Sequence, residues 1–257
     1  MPTSVAELRT ALQRRCPADI KSAAPARGLK TGTALDALLE PVGIPQGRLT
    51  EVFGGPSSGK TSLAFAVLAA CSRAGQLGAY VDPAHALYAP AACSAGICLA
   101  RLIVVRPSDA HAARRAVDAL VRCGACAAVV FDCTGLGDVL RAHQCARLAA
   151  QAEKTGTILL AVSEGNIPAL ASFSSLRLRA GGLSPLWQAG SDGSRRLAGC
   201  TASIEVVKSR TSTPGKSASI CALLPDVTGS WPTSSVEAAD VAVDLWSTES
   251  FETANNA

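Results

Sequence analysis

Residues Gly54, Gly55, Pro56, Ser57, Ser58, Gly59, Lys60 and Thr61 spell G-x-x-x-x-G-K-T, the pattern of a loop that wraps the phosphates of a nucleoside triphosphate. The chemistry needs these residue types at this spacing. Glycine lacks Cβ, so the backbone can turn through positive φ and come close to phosphate oxygens. The loop N–H groups and the free end of the following helix then point at the anion. Lys60 reaches the β- and γ-phosphates, the Thr61 hydroxyl takes Mg²⁺, and Ser62 extends the contact set into the helix. ATP with Mg²⁺ is the expected ligand. A second acid is needed to organise the metal through water, and Asp132, closing the apolar run Ala127–Phe131, is placed for it.

Such a loop works only between a strand and a helix. Leu49–Phe53 alternates apolar and polar residues as a short strand does, and Ser62–Ala70 is apolar enough for a buried helix. Further runs at 78–82, 101–105, 127–132 and 157–162 read as strands, separated by helices at 109–122 and 138–154, with Ser108 as a cap for the first of these. Apolar strands alternating with helices predict an α/β fold with a mostly parallel central sheet covered on both faces. From Ser174 the pattern changes. Leu176–Arg179 and part of Ile204–Lys208 alternate strictly, with turn signals at Gly181-Gly182 and at 191–194, which predicts antiparallel strands on one sheet edge.

The chain has 257 residues, 48% hydrophobic and 17% charged, enough for one large core with small appendages. Its longest apolar run, Leu63–Cys71, is far too short to span a membrane, and no apolar segment of a signal peptide follows Met1, so a cytoplasmic location with no membrane partner is expected. Ten cysteines in such a chain read as reduced thiols, mostly acting as small apolar side chains. The single C-x-x-C, Cys123 and Cys126, lacks the companions of a zinc site.

Three segments are expected. Residues 1–28 form a basic helix (Val5–Arg15) and linker, 29–224 a nucleotide-binding core, and 225–257 a polar tail. The net charge of +4 is unevenly spread. Residues 1–30 hold Arg9, Arg14, Arg15, Lys21, Arg27 and Lys30, whereas 225–257 hold Asp226, Glu237, Asp240, Asp244, Glu249 and Glu252 without a basic residue. Basic segments suit nucleic acid and equally suit solvated faces.

With these features in place, the segment from about 29 to 224 resembles the core of the RecA recombinase family. The resemblance is carried by Thr31-Gly32-Thr33-Ala34-Leu35-Asp36, Gly47-Arg48, the phosphate loop, Tyr80–Leu87, the run from Pro107 through Asp132, and Val206-Val207-Lys208-Ser209-Arg210. It implies a RecA-like P-loop NTPase core. It also implies that Lys208 and Arg210 reach a neighbouring subunit's nucleotide and that the chain self-associates; the alternative for this pair is a basic edge strand in solvent.

The departures are as informative. Where the family has its catalytic glutamate, this chain has Ala84, and a positioned base contributes about 10²–10⁴-fold. Where the family has a γ-phosphate-sensing Asn-Gln pair, this chain has Ser163-Glu164. Glu164 reads as a substitute base, as a charge that repels the triphosphate, or as a solvent-facing acid. The segments after Asp132 and Glu164, which in the family contact DNA, are short. Together these features resemble the ImuA-like branch, accessory proteins of damage-induced translesion synthesis. That resemblance implies weak or no hydrolysis, weak DNA contact, and partners in the error-prone polymerase machinery, including an inactive Y-family homologue. Three other functions stay open: an active DNA-dependent ATPase or recombinase, an interaction module without nucleotide, and a small-molecule kinase.

Overall fold

The computed structural model describes residues 27–136, 140–189 and 194–223. In chain order the elements are β1 (Gly28–Leu29), α1 (Leu35–Leu38), β2 (Ile44–Pro45), β3 (Leu49–Phe53), α2 (Lys60–Arg73), β4 (Leu77–Val81), α3 (Ala89–Ser94), β5 (Leu102–Val105) and α4 (Ala110–Cys123). They continue with β6 (Cys126–Asp132), α5 (Ala142–Thr155), β7 (Ile158–Ser163), α6 (Pro168–Phe173), β8 (Leu176–Ala189), β9 (Arg195–Ser209) and β10 (Ser217–Leu223).

The expected α/β architecture is the one observed. Strands β3 to β10 form one sheet in the order β10-β9-β8-β3-β7-β6-β4-β5. Pairs from β5 to β8 are parallel, and β9 and β10 add antiparallel to that edge. Strand β8 is the seam, parallel to β3 on one side and antiparallel to β9 on the other.

The reason the central strands are apolar throughout is that both faces are covered. Ala128, Val130, Leu160 and Val162 pack with Leu63, Val67 and Leu68 of α2. Their alternate neighbours Val129, Phe131, Leu159 and Ala161 pack with Val117 and Val121 of α4 and with Cys145 and Leu148 of α5. Helix α2 is buried over nearly its whole surface from Leu63 to Cys71, which accounts for its lack of a polar stripe. It presses so closely on β4 that a Cβ at Gly78 would lie 2.6 Å from Leu68.

Local chemistry fixes the ends. The cap of α4 is Asp109 rather than Ser108: its carboxylate accepts from Ala112 N at 2.7 Å, and the Ser108 hydroxyl instead donates to Asp109. A carboxylate at the positive end of a helix satisfies an otherwise unpaired N–H and interacts well with the dipole. Gly124 and Gly156 close α4 and α5 in the left-handed conformation. The helix expected from Asp138 starts at Ala142, because Arg141 is extended; Asp138 itself lies outside the described residues. Asp36 ties down the 31–36 segment by accepting from Thr31 N, Thr31 Oγ1 and Gly32 N, at 2.8, 2.9 and 2.8 Å.

Two readings change. Gly181-Gly182 is not a turn: β8 runs through it, and Gly182, at φ 68°, sits where the β8–β9 register shifts between Gly181 and Ser184. A bulge and a turn both ask for positive φ, so the residue pair alone does not separate them. The other difference is that the region expected to be loop between Glu164 and Ser175 holds α6, and the region after Tyr88 holds α3; both begin with a proline in the first turn. The expected N-terminal helix and the whole of the acidic tail, 225–257, lie outside the described residues.

Candidate functional site

Strand β3 delivers the chain to the C-terminal end of the parallel sheet, and Gly54 turns it there. A Cβ at Gly54 would stand 2.0 Å from the Ala180 carbonyl oxygen of β8, so only glycine passes. Ser57 takes φ 52° and Gly59 φ 88°, and Gly59 directly precedes the first residue of α2. A Cβ at Gly59 would meet Ala202 Cβ at 2.6 Å. Gly55 has open space around it. The loop is therefore held close by β8 and β9 on one side and open on the other, which suits an anion seated against its amides and the end of a long helix.

Lys60 is buried, and its ammonium donates to Gly55 O at 2.5 Å and Ser58 Oγ at 3.3 Å. Burial pushes its pKa down, while the charges of Glu164 and Asp132 push it up. Both carboxylates thus act on the loop lysine across the site. Thr61 stands exposed at the head of α2, where its hydroxyl is free to meet a cation.

Asp132 ends β6 and is also buried. Its Oδ2 accepts from the Tyr80 hydroxyl of β4 at 2.9 Å and its Oδ1 from Thr134 N at 2.9 Å. Burial, reinforced by the Asp132 charge and hydrogen bond, holds the Tyr80 phenol well above its usual range, so it stays a donor. Tyr80 is the residue sequence reasoning missed as an orienter; its position one strand over from Asp132 was visible only once β4 and β6 were paired.

The turn after β4 is shaped by Asp82. Its fully buried carboxylate accepts from Ala86 N at 2.9 Å and Leu87 N at 3.0 Å, and His85 adopts φ 56°. Ala84 rides this turn exposed, with no group that can take a proton. Ser163, at the end of β7, donates to Gly165 O at 2.9 Å, and Glu164 follows it at the surface.

Behind the site, Arg177 of β8 gathers the segment after β7. It pairs with buried Glu51 at 2.5 Å, donates to Asn166 at 2.7 Å, and lies 4.7 Å over the Phe53 ring. Burial raises the Glu51 pKa, opposed by Arg177. Lys208 donates to the carbonyls of Ala171 and Ser172, at 2.9 and 3.3 Å, neutralising the end of α6. The β8–β9 register sets Lys208 opposite Arg177, which is itself opposite Glu51 at the middle of β3, whereas the loop's contacts to β8 and β9 are at Ala180 and Ala202. Lys208 and exposed Arg210 are thus not brought to the phosphate loop of their own chain. Cys123 is exposed and Cys126 buried, and no cluster of metal-ligating residues occurs among the described residues. No helix among them is long and apolar enough to cross a membrane.

Residues 21–142 match the RecA N-terminal domain family. Protein RecA of Rubrobacter xylanophilus is 44% identical over 105 residues, covering 40% of this chain and 30% of that protein. Protein RecA of Deinococcus radiodurans is 35% identical over 156 residues, covering 53% of this chain and 43% of that protein. The chain therefore spans well under half the length of these relatives. A crystal structure of the RadB recombinase shares the fold, with a TM-score of 0.58 at 22% identity over 74% of this chain and 94% of that one. The sequence likeness to RecA proteins thus centres on residues 21–142, and the RadB structure shows the shared fold.

Proposed function

We propose that this chain is a RecA-like ATP-binding protein of DNA repair that holds nucleotide with little or no turnover. We infer further that it serves as an accessory factor in damage-induced translesion synthesis, beside error-prone polymerase machinery that includes an inactive Y-family homologue. The observation that carries the reading is the contrast inside one site: a complete phosphate loop with buried Lys60, next to a turn whose proton-accepting position is Ala84.

Residues 54–62 would hold the triphosphate, and Thr61 with Asp132 would hold Mg²⁺, Asp132 through water. The metal supplies charge neutralisation for the phosphates. The glycine geometry and the two carboxylates acting on Lys60 fit that group. Tyr80 orients Asp132, Lys60 contributes fixed positive charge, and no base stands at position 84 to draw a proton from water. The short segment after Glu164 is folded into α6 and tied in cis by Arg177 and Lys208, which supports weak DNA contact there.

One observation favours a second reading, an active DNA-dependent ATPase. The charge of Glu164 acts on Lys60, so this carboxylate lies within electrostatic reach of the γ-phosphate end of the loop and would serve as a substitute base. The deciding experiment is ATP binding and turnover on purified protein, with and without single-stranded DNA, alongside Lys60→Ala. Loss of the lysine's charged hydrogen bonds is expected to weaken ATP binding about 10- to 100-fold. Wild-type affinity in this variant would defeat the site assignment. Binding with slow, DNA-independent turnover supports the accessory reading. DNA-stimulated turnover that disappears in Glu164→Gln supports the second.

A further inference from the structure

Away from the loop, the outer half of the β8–β9 hairpin has an unusual surface. Trp187 and Leu197 face each other across the ladder yet remain 51% and 42% exposed. Arg195, two residues from Leu197 and on the same face, places its guanidinium 5.9 Å from the Trp187 ring centre. On the opposite face Arg196 pairs with Gln188, donating to its Oε1 at 3.1 and 2.8 Å. Apolar side chains exposed together beside one guanidinium, with a second on the reverse face of the same strand, mark a contact surface.

The course of β10 says what reaches it. β10 runs antiparallel along β9 towards this end of the hairpin, and its last described pair is Leu223 opposite Gly199. Carried three residues further, that register would bring Asp226 opposite Arg196. The sequence from there on holds Asp226, Glu237, Asp240, Asp244, Glu249 and Glu252, no lysine or arginine, and the indoles Trp231 and Trp246. Opposite charges across a ladder attract. A segment tethered a few residues away also competes at an effective concentration that a free partner rarely matches.

We propose that the acidic segment 226–257 docks in cis on the outer half of this hairpin, with Asp226 on Arg196 and its apolar residues over Trp187 and Leu197. Nearer the core, Leu183 and Ala202 of the same hairpin line a separate apolar seam with Gly59 and Ser62.

The test uses the full chain with Trp231→Phe and Trp246→Phe, which leaves Trp187 as its one indole of three. Acrylamide quenching of Trp187 is compared with that in the same protein carrying amides at all six tail acids. At low salt the acidic protein should be quenched about two- to three-fold less, and 1 M NaCl, with a screening length of about 3 Å, should remove the difference. Should the amidated protein misfold, the salt titration stands alone, and a charge swap supports it: Asp226→Arg should expose Trp187 and added Arg196→Asp should protect it again. Equal quenching at low salt, with no response to salt or to the swap, overturns the proposal. Protection lost on dilution would instead make the occupant a second copy's tail. Protection seen only with an added single-stranded oligonucleotide would make the hairpin a nucleic-acid surface. Either result overturns docking in cis.

Discussion

The turns after β3 and β4 leave the same end of the same parallel sheet, and each forces one non-glycine residue into positive φ, Ser57 at 52° and His85 at 56°. Each is braced by a buried charged side chain, Lys60 in the first and Asp82 in the second. In the first turn the bracing group is itself the loop's cation, donating to Gly55 O and Ser58 Oγ. In the second, the bracing group only shapes backbone, and the exposed position it presents is the methyl of Ala84. A turn can therefore keep its form while losing its reagent, because the form is set by buried hydrogen bonds and the reagent by one solvent-facing side chain. On the proposed function, binding and turnover would be separable in this architecture.

The sharpest way to break that comparison is to restore the reagent. Ala84→Glu adds a carboxylate at an exposed site where nothing needs to move. If only the base is missing, ATP turnover should rise about 10²–10⁴-fold with nucleotide affinity nearly unchanged. Steady-state hydrolysis checks this. No increase would place the defect elsewhere, in Glu164 or in contacts from a second subunit.

A smaller effect tests whether the first turn is as tightly built as its geometry states. Gly59→Ala must adopt φ 88° and put a Cβ 2.6 Å from Ala202 Cβ, so it should cost about 1–3 kcal/mol of stability. Gly55→Ala, in open space, should stay within about 0.5 kcal/mol of the parent. Denaturant midpoints of the two variants compare them directly. Similar losses would mean the loop is free to relax away from β9.

What could be read from sequence follows the range of the interactions involved. The loop, its flanking strand and helix, and the apolar strands β6 and β7 were legible because each is fixed by neighbouring residues or by burial on both faces. Asp109 as a cap was one residue off because Ser108 and Asp109 are both good caps, and only backbone geometry chooses. The six-residue helices α3 and α6 were too short to show a periodicity, although Pro90 and Pro168 marked their first turns. At the site, Lys60 and Asp132 were visible as motif and strand end. The grip of Tyr80 on Asp132 and of Lys208 on α6 was not, since those contacts join residues 52 and 37 positions apart.

The finest test concerns that hidden grip. Tyr80→Phe removes one buried hydrogen bond to Asp132 and should cost about 1 kcal/mol near pH 8. It should also raise the Mg²⁺ concentration needed for ATP binding, because Asp132 loses its orienter. The pH dependence gives a second, independent reading. Burial raises the folded-state pKa of the phenol above its unfolded value of about 10, so below that pH both states keep the proton and the stability contribution is complete. As pH climbs past about 10 the unfolded chain releases the proton while the folded protein retains it. Fewer protons on the unfolded state mean that stability falls with rising pH. Phenylalanine has no such proton, so the stability gap between parent and Tyr80→Phe should narrow from pH 8 to pH 10.5 in denaturant titrations. A constant gap would show that the phenol is not held neutral against Asp132, and that the carboxylate is oriented by Thr134 N alone.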